Sequence, residues 1–438
     1  MNPSAEQQKN ILVCGLGKSG VSTANLALHK GYEVSLSDAN EQVLERQEIQ
    51  DLIKQGASFL SLPLNKPTEF DSCVMSPGIS PKSELYQQAS KISKDMMGEL
   101  DFAAQFMLNT KFLAITGTNG KTTCTEMAEH AFRKMGISAM ACGNIGLPLA
   151  EIALTEGHPE YALVEISSYQ IDLLNSLHFS AAVILNITED HIDRYGSFGK
   201  YFDSKLNIEN FCEVLITRDD LPTKEQALHF SASKKTADFV LLDNKFYYEG
   251  DYLGSANFSF HGKHNMENAL AVLALLKTQG FDMKQALNTL SDFRCSEHRL
   301  EEVSSQDKVL YINDSKSTNP ASLMVAIETF ADKKKKIVLI AGGRDKNMDL
   351  SVVNPLISKY VREVFSYGEC KEKLKTLWQA LCPTNLCESF DVAVHKAIQC
   401  SKEGDIVLLS PGCSSLDLFK SYEERGHQFK SLVQKVNE

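Results

Sequence analysis

Residues 111–123 read KFLAITGTNGKTT, and this stretch decides the fold around it. Its first part is a short, mostly apolar run that predicts a buried strand. Gly117 and Gly120 then punctuate a turn, and Lys121 opens a segment with helical periodicity. Cys124, Met127, Ala128, Ala131, Phe132 and Met135 fall on one face of that helix. Strand, glycine turn and helix in this order predict a phosphate-binding loop. The N–H groups of Gly117, Thr118, Asn119 and Gly120 would wrap phosphates, Lys121 would reach the β and γ oxygens, and a hydroxyl of Thr122 or Thr123 can hold Mg²⁺. Ile115 stands where the longer G-x-x-x-x-G-K-T form has its first glycine, so the loop is a compact G-x-x-G-K-T variant.

Two polar groups follow apolar runs in the same part of the chain. Glu165 closes YALVE, and His191 follows AAVILN after the acidic stretch ITED. Carboxyl ends of strands line the crevice of an open parallel sheet, which would bring both beside the loop, where Mg²⁺ needs ligands. A single histidine is more often an ordinary core or surface residue, so His191 draws its weight from the loop. His264–Asn268 opens the apolar helix NALAVLALL. Asn265 and Asn268 share a face there, suited to an adenine edge or to plain capping.

Farther out, the chain divides into three α/β blocks: residues 1–98, 99–300 and 301–438. In the first, the runs KNILVCG, YEVSLSD and FDSCVMS predict a Rossmann-like parallel sheet. Gly15-Leu16-Gly17-Lys18-Ser19-Gly20 fits G-x-G-x-x-G, with Asp38 ending the next strand. NAD, another nucleotide diphosphate and a structural tight turn all satisfy that pattern. Residues 218–260 predict a small antiparallel excursion turning at Asp243-Asn244. The third block alternates VLYINDS, KKIVLIAGG, EVFSYG and DIVLLSPG with helices, again Rossmann-like. Lys333–Lys336 is read as a solvated turn. His298-Arg299, the loop from Asn313 to Pro320, Gly342–Lys346 and Ser410–Ser415 carry small and polar residues suited to anions.

Composition sets outer limits. The 438 residues exceed one ordinary core. No apolar run approaches the roughly 18 residues of a membrane span, and the N-terminus lacks a secretory h-region, which predicts a cytoplasmic protein with no membrane partner. Eleven scattered cysteines without zinc spacing predict free thiols. A net charge of −11 argues against nucleic-acid binding through a global basic field.

GTNGKTT, CGNIGLPL, VEISSYQ, NITEDHIDRYGSFGKYFDSK, HGKHNMENALAVLAL, EHRLE, NDSKSTNP and SPGCSSLDLFKSYEERG occur in the order of the Mur ligase family, which the chain resembles over almost its whole length. The resemblance is closest to the D-glutamate-adding members, through the GLGxxG loop, Ser76-Pro77-Gly78-Ile79 and the segment from Ser410 to Gly426. It implies an ATP-dependent ligase of peptidoglycan precursor synthesis, a monomer joining D-glutamate to UDP-N-acetylmuramoyl-L-alanine through an acyl phosphate. It replaces NAD by the UDP end of the substrate, with Lys18, Ser19, Asp38, Ser76 and Asn144 as contacts. It assigns ATP to the 117–123 loop, Asn268, Arg299 and Asp314. It gives Mg²⁺, as two ions, to Thr122, Glu165, His191 and a carbamylated Lys205. D-Glutamate falls to Lys316, Thr318, Lys346, Ser415, Leu416 and Tyr422, and catalysis to Lys121, His191, Lys205, Lys316 and Lys346. Relatives often have phenylalanine where Tyr422 stands. The competing readings are an L-alanine-adding or folate-polyglutamylating ligase, an NAD-linked oxidoreductase and a non-catalytic nucleotide sensor.

Overall fold

The computed structural model describes residues 9–64, 69–223, 227–234, 236–255, 258, 263–294, 296–306, 308–331, 336–346 and 348–436. The lysine run at 333–336 lies mostly outside them. Strands and helices alternate through three sheets of five, nine and six strands. The chain resolves into two compact units, one of residues 1–256 and 267–290, the other of 257–266 and 291–438.

The first unit holds two sheets. In the five-stranded one the order is Ser58–Phe59, Glu33–Ser37, Asn10–Cys14, Ser72–Met75, Met96–Met97, all parallel. Chain order reverses between Asn10–Cys14 and Ser72–Met75, and a crevice opens beyond the carboxyl ends of strands at such a point. In the nine-stranded sheet, Lys111–Thr116 lies between Tyr161–Glu165 and Phe179–Ile184. The middles of these strands are apolar and buried, as in parallel sheets generally, with polar groups such as Thr116 and Glu165 at their carboxyl ends.

The expected antiparallel excursion holds only in its last part. Cys212–Arg218, Leu228–Ser231 and Phe239–Leu242 extend the central sheet in parallel. Antiparallel pairing begins with Lys245–Tyr248 and continues to Asp251–Ser255. Asp243 and Asn244 form the predicted turn, with φ of 48° and 60°; two successive positive φ values define a hairpin turn whose twist suits the strands.

In the second unit the order is Glu301–Gln306, Val309–Asn313, Ile406–Gly412, Ile337–Gly342, Val361–Tyr367, Thr384–Leu386, with only the first edge strand antiparallel. Alternate residues feed two separate cores. Leu339, Ala341 and Leu408 pack on one face, Val338, Ile340, Val407 and Leu409 on the other. All ten described cysteines are free, and eight are buried. No described helix is long and apolar enough to cross a membrane.

Candidate functional site

The helix Lys121–Lys134 begins at Gly120, whose φ of 87° is left-handed, and no side chain caps it. Its first N–H groups are therefore available to an anion. A Cβ at Gly120 would lie 2.9 Å from Asn268 Oδ1, so glycine lets that amide approach the loop. Asn186, just past Phe179–Ile184, braces the turn: its Oδ1 accepts from Asn119 N at 2.9 Å, and its Nδ2 donates to Asn119 O at 2.9 Å. Thr118 is buried, and its hydroxyl meets Tyr201 Oη at 3.0 Å. Lys121 Nζ donates to the carbonyls of Gly117 and Thr118 at 2.9 Å each. Its charge is thus held over the loop, while Thr122 is half-buried and Thr123 buried.

Beside this loop, the ends of neighbouring strands assemble a set of metal-suited donors. Glu165 is 2% exposed, and its Oε1 accepts from Asn144 Nδ2 at 2.7 Å. Its Oε2 is buried with no hydrogen-bond partner among the described residues, an arrangement that costs free energy unless something else binds there. His191 has a left-handed φ of 54°, and its Nδ1 lies 2.9 Å from Tyr169 Oη. Burial lowers the His191 pKa, with the Lys205 and Lys121 charges adding to the effect against Asp190. Lys205 is 2% exposed, on the helix Phe198–Leu206. Burial, reinforced by the Lys121 charge, holds its amine well below the ordinary lysine range. Its Nζ faces Thr116 Oγ1 at 3.3 Å and the Tyr201 ring at 5.3 Å. The partnerless Glu165 oxygen and the half-buried Thr122 hydroxyl are hard oxygen donors suited to magnesium, with the His191 imidazole beside them; an unmodified Lys205 amine is not such a donor.

At the crevice of the five-stranded sheet, Gly15 and Ser76 come together. A Cβ at Gly15 would fall 2.6 Å from Ser76 Cβ. Asp38 accepts from Leu16 N at 2.7 Å and Asn40 N at 2.9 Å, so both its oxygens hold backbone. Lys18 Nζ donates to Gly146 O at 2.9 Å, and Ser19 opens the following helix half-buried.

The second unit gathers its expected residues at the carboxyl ends of its strands. Asp314 Oδ2 accepts from Ser410 Oγ at 2.9 Å and Oδ1 from Leu300 N at 3.2 Å; burial raises its pKa to about 7, against the charges of Arg299 and Arg425. Gly412 N donates to Ser317 O at 3.0 Å, which ties the 313–320 loop to the 410–415 loop. Lys316 Nζ stands 3.8 Å from the centroid of the Tyr422 ring, a cation–π contact. Thr318 is half-buried, Ser415 buried, and Leu416 and Lys346 exposed. Another carboxylate–imidazole cluster, Glu297, His298 and His427, lies in this unit. Asn313 Nδ2 donates to His298 Nδ1 at 2.9 Å, which keeps the ring proton on Nε2, and Lys430 Nζ is 3.3 Å from Glu297. That hydrogen bonding suits an ion-pair cluster better than a metal centre.

Sequence reasoning missed Asn186, Tyr201, Tyr169 and Arg425. Tyr201 sits four residues before Lys205, on the same helix face, which spacing alone could have flagged. Arg425 is fully buried, donating to Ser315 O at 2.7 Å and Cys413 O at 3.3 Å. Nothing in its neighbours' types announces that burial.

Comparison with known proteins gives matches along the chain. Residues 9–98 match the "Mur ligase MurD-like, N-terminal domain", 115–276 the "Mur ligase middle domain", and 298–413 the "Mur ligase, glutamate ligase domain". The UDP-N-acetylmuramoylalanine--D-glutamate ligase of Koribacter versatilis is 35% identical, covering 98% of each chain. Enzymes of the same name from Geobacter metallireducens and Aquifex aeolicus are 34% and 33% identical, over 97% of this chain and 97% and 98% of theirs. Among solved structures, MurF ligase from Thermotoga maritima in complex with ADP superposes with a TM-score of 0.64 at 16% identity, covering 98% of this chain and 96% of that one. UDP-N-acetylmuramate-alanine ligase MurC from Thermotoga maritima gives 0.62 at 18%, covering 98% and 100%. At such identities the two structures speak for the fold.

Proposed function

The chain belongs to the Mur ligase family, and from that premise we propose that it joins D-glutamate to UDP-N-acetylmuramoyl-L-alanine with ATP, forming ADP and phosphate. A carboxylate is a poor electrophile. Transfer of the γ-phosphoryl group to it makes an acyl phosphate, and the D-glutamate amine then displaces phosphate to form the amide. The observation that carries this reading is the loop at 117–120, ending in the left-handed Gly120 without a side-chain cap, with Lys121 held over it, beside Glu165, His191 and Lys205.

The roles divide by unit. The 117–123 loop and Asn268 take the ATP phosphates and base, and Lys121 neutralises charge on the transferring phosphoryl group. Thr122, Glu165, His191 and Lys205 hold magnesium, two ions in number, which supplies electrostatic stabilisation of the phosphates when bound. Lys205 serves as a carbamate: its neutral amine adds to CO₂ with loss of a proton, turning a base into an anionic oxygen donor. Its burial and depressed pKa support that chemistry. Lys18, Ser19, Asp38, Ser76 and Asn144 face the UDP-muramoyl substrate. Because Asp38 is occupied with backbone N–H groups, its part there is to shape the loop. In the second unit Lys316, Thr318, Lys346, Ser415, Leu416 and Tyr422 receive D-glutamate, and Arg299 and Asp314 go to ATP. We place the domain boundaries near residues 98 and 300 and take the enzyme as a monomer.

The test is an amino-acid screen. Purified protein with Mg²⁺, ATP and UDP-N-acetylmuramoyl-L-alanine should release phosphate with D-glutamate and not with L-alanine or L-glutamate. Release with L-alanine and UDP-N-acetylmuramate instead would assign the chain to another ligase of the family.

A further inference from the structure

The assignment of His191 to magnesium leaves open what aims its ring. His191 is exposed at 45% of its side chain and sits on a four-residue helix start with no side-chain cap. Its φ of 54° is uncommon for a residue with a Cβ. A backbone in that region persists only where its surroundings over-determine it. An exposed imidazole on such a backbone would rotate freely unless something gripped the ring.

One group does so. Tyr169 Oη lies 2.9 Å from His191 Nδ1, and the two rings are 5.0 Å apart. Tyr169 is fixed in turn. Arg194 packs its guanidinium over the Tyr169 ring, 4.1 Å from the centroid, and donates to Ile79 O at 3.3 Å. Tyr169 also lies inside the capping box made by Ser167 and Gln170, which sets the start of its helix. The Tyr169 hydroxyl has no other hydrogen-bond partner among the described residues, so its geometry serves the imidazole alone.

We propose that Tyr169 is a positioning residue that fixes the tautomer of His191, its hydroxyl oxygen accepting the Nδ1–H so that the Nε2 lone pair is presented to the metal. A histidine that binds a metal through one ring nitrogen carries its proton on the other, and the acceptor of that proton sets the ring's orientation and basicity. Here the acceptor is a phenol rather than a carboxylate or a backbone carbonyl. The inference rests on the reading of His191 as a ligand.

The experiment uses full-length protein with ¹⁵N-labelled histidine, the His191 signals being assigned by their loss in His191→Gln. Ring nitrogen shifts in the metal-free wild type should report Nδ1–H. In Tyr169→Phe the proton should move largely to Nε2, and Mn²⁺ affinity in the presence of ADP should weaken about tenfold. Tyr195→Phe is the control: its hydroxyl meets Asp172 and Ser204 in the same aromatic cluster, so it tests packing without touching the imidazole. An unchanged tautomer or an Mn²⁺ affinity within about twofold in Tyr169→Phe overturns the proposal. So does an equal tautomer shift in Tyr195→Phe. If Mn²⁺ still broadens the His191 signals in those cases, the ligand assignment survives alone. If Mn²⁺ leaves them sharp in the wild type, ligand assignment and positioning role fall together.

Discussion

Lys121 and Lys205 are both lysines beside a phosphate loop, yet they stand in different electrostatic surroundings. Lys121 stays half-buried, with its charge shared between two carbonyls, and that charge is what phosphoryl transfer draws on. Lys121→Ala should lower kcat about 100- to 1000-fold while leaving the thermal midpoint nearly unchanged. A kcat near the wild type would remove the phosphate assignment. Lys205, buried and with its amine held well below the ordinary lysine range, is suited to become an acid-bearing group. Lys205→Ala should be largely inactive and partly restored by acetate, a small carboxylate that can enter the space left behind. An active variant, or an inactive one that acetate leaves unaided, would remove the carbamate. The first lysine is legible from spacing because its partners are its sequence neighbours. The second is legible only through family resemblance, because Thr116 and Tyr201 come to it through the fold. Tyr169 was hidden for the same reason: its partner lies 22 residues away, across a strand.

Among elements, the strand–loop–helix unit was the easiest to read, since its glycines act locally. Gly120→Ala should cost about 1–3 kcal/mol, from a left-handed backbone and a Cβ driven against Asn268, and should weaken nucleotide binding. Gly136→Ala has a similar φ of 80° and open space around it. It should destabilise by about 1 kcal/mol and leave nucleotide binding alone, as read by denaturant titration and ADP calorimetry. Equal loss of ADP affinity in both would contradict the loop's role. The hairpin at 243–244 was legible from its turn residues, but the parallel pairing before it was not, because short alternating segments do not declare a partner.

Glu99 shows an element held by a titrating group. It is buried at the start of the helix Glu99–Ala104 and accepts from Ala150 N at 2.6 Å, binding the helix Leu149–Ile152. Burial raises its pKa from 4.5 to about 7. Between those values the folded chain keeps a proton that the unfolded chain has released. Its contribution is therefore full below about pH 4.5 and declines as pH rises towards 7. Asp314 adds the same sign in the second unit. Glu99→Gln keeps an acceptor for Ala150 and should flatten part of this slope, gaining about 1–3 kcal/mol at pH 8 relative to pH 5 in urea unfolding. An unchanged slope would mean that Glu99 is ionised in the folded chain.

Across the whole molecule, three α/β sheets were readable because each block repeats strand and helix. The grouping of the first two sheets into one compact unit was not. Contacts such as Lys18 to Gly146 and Ser22 to Glu151 join residues more than a hundred positions apart, and no local pattern encodes them. The chain carries a net charge of −11 and is proposed to bind three anionic substrates. Attraction must therefore be local, from helix N-termini, lysines and metal, and not from the global field. The central claim is that the loop passes a phosphoryl group to the substrate carboxylate before the amine attacks. UDP-N-acetylmuramoyl-L-alanine labelled with ¹⁸O in its alanyl carboxylate tests this directly, by mass analysis of the phosphate released on turnover with ATP and D-glutamate. One ¹⁸O atom per phosphate is the predicted result. Unlabelled phosphate, with amide formed, would contradict the account.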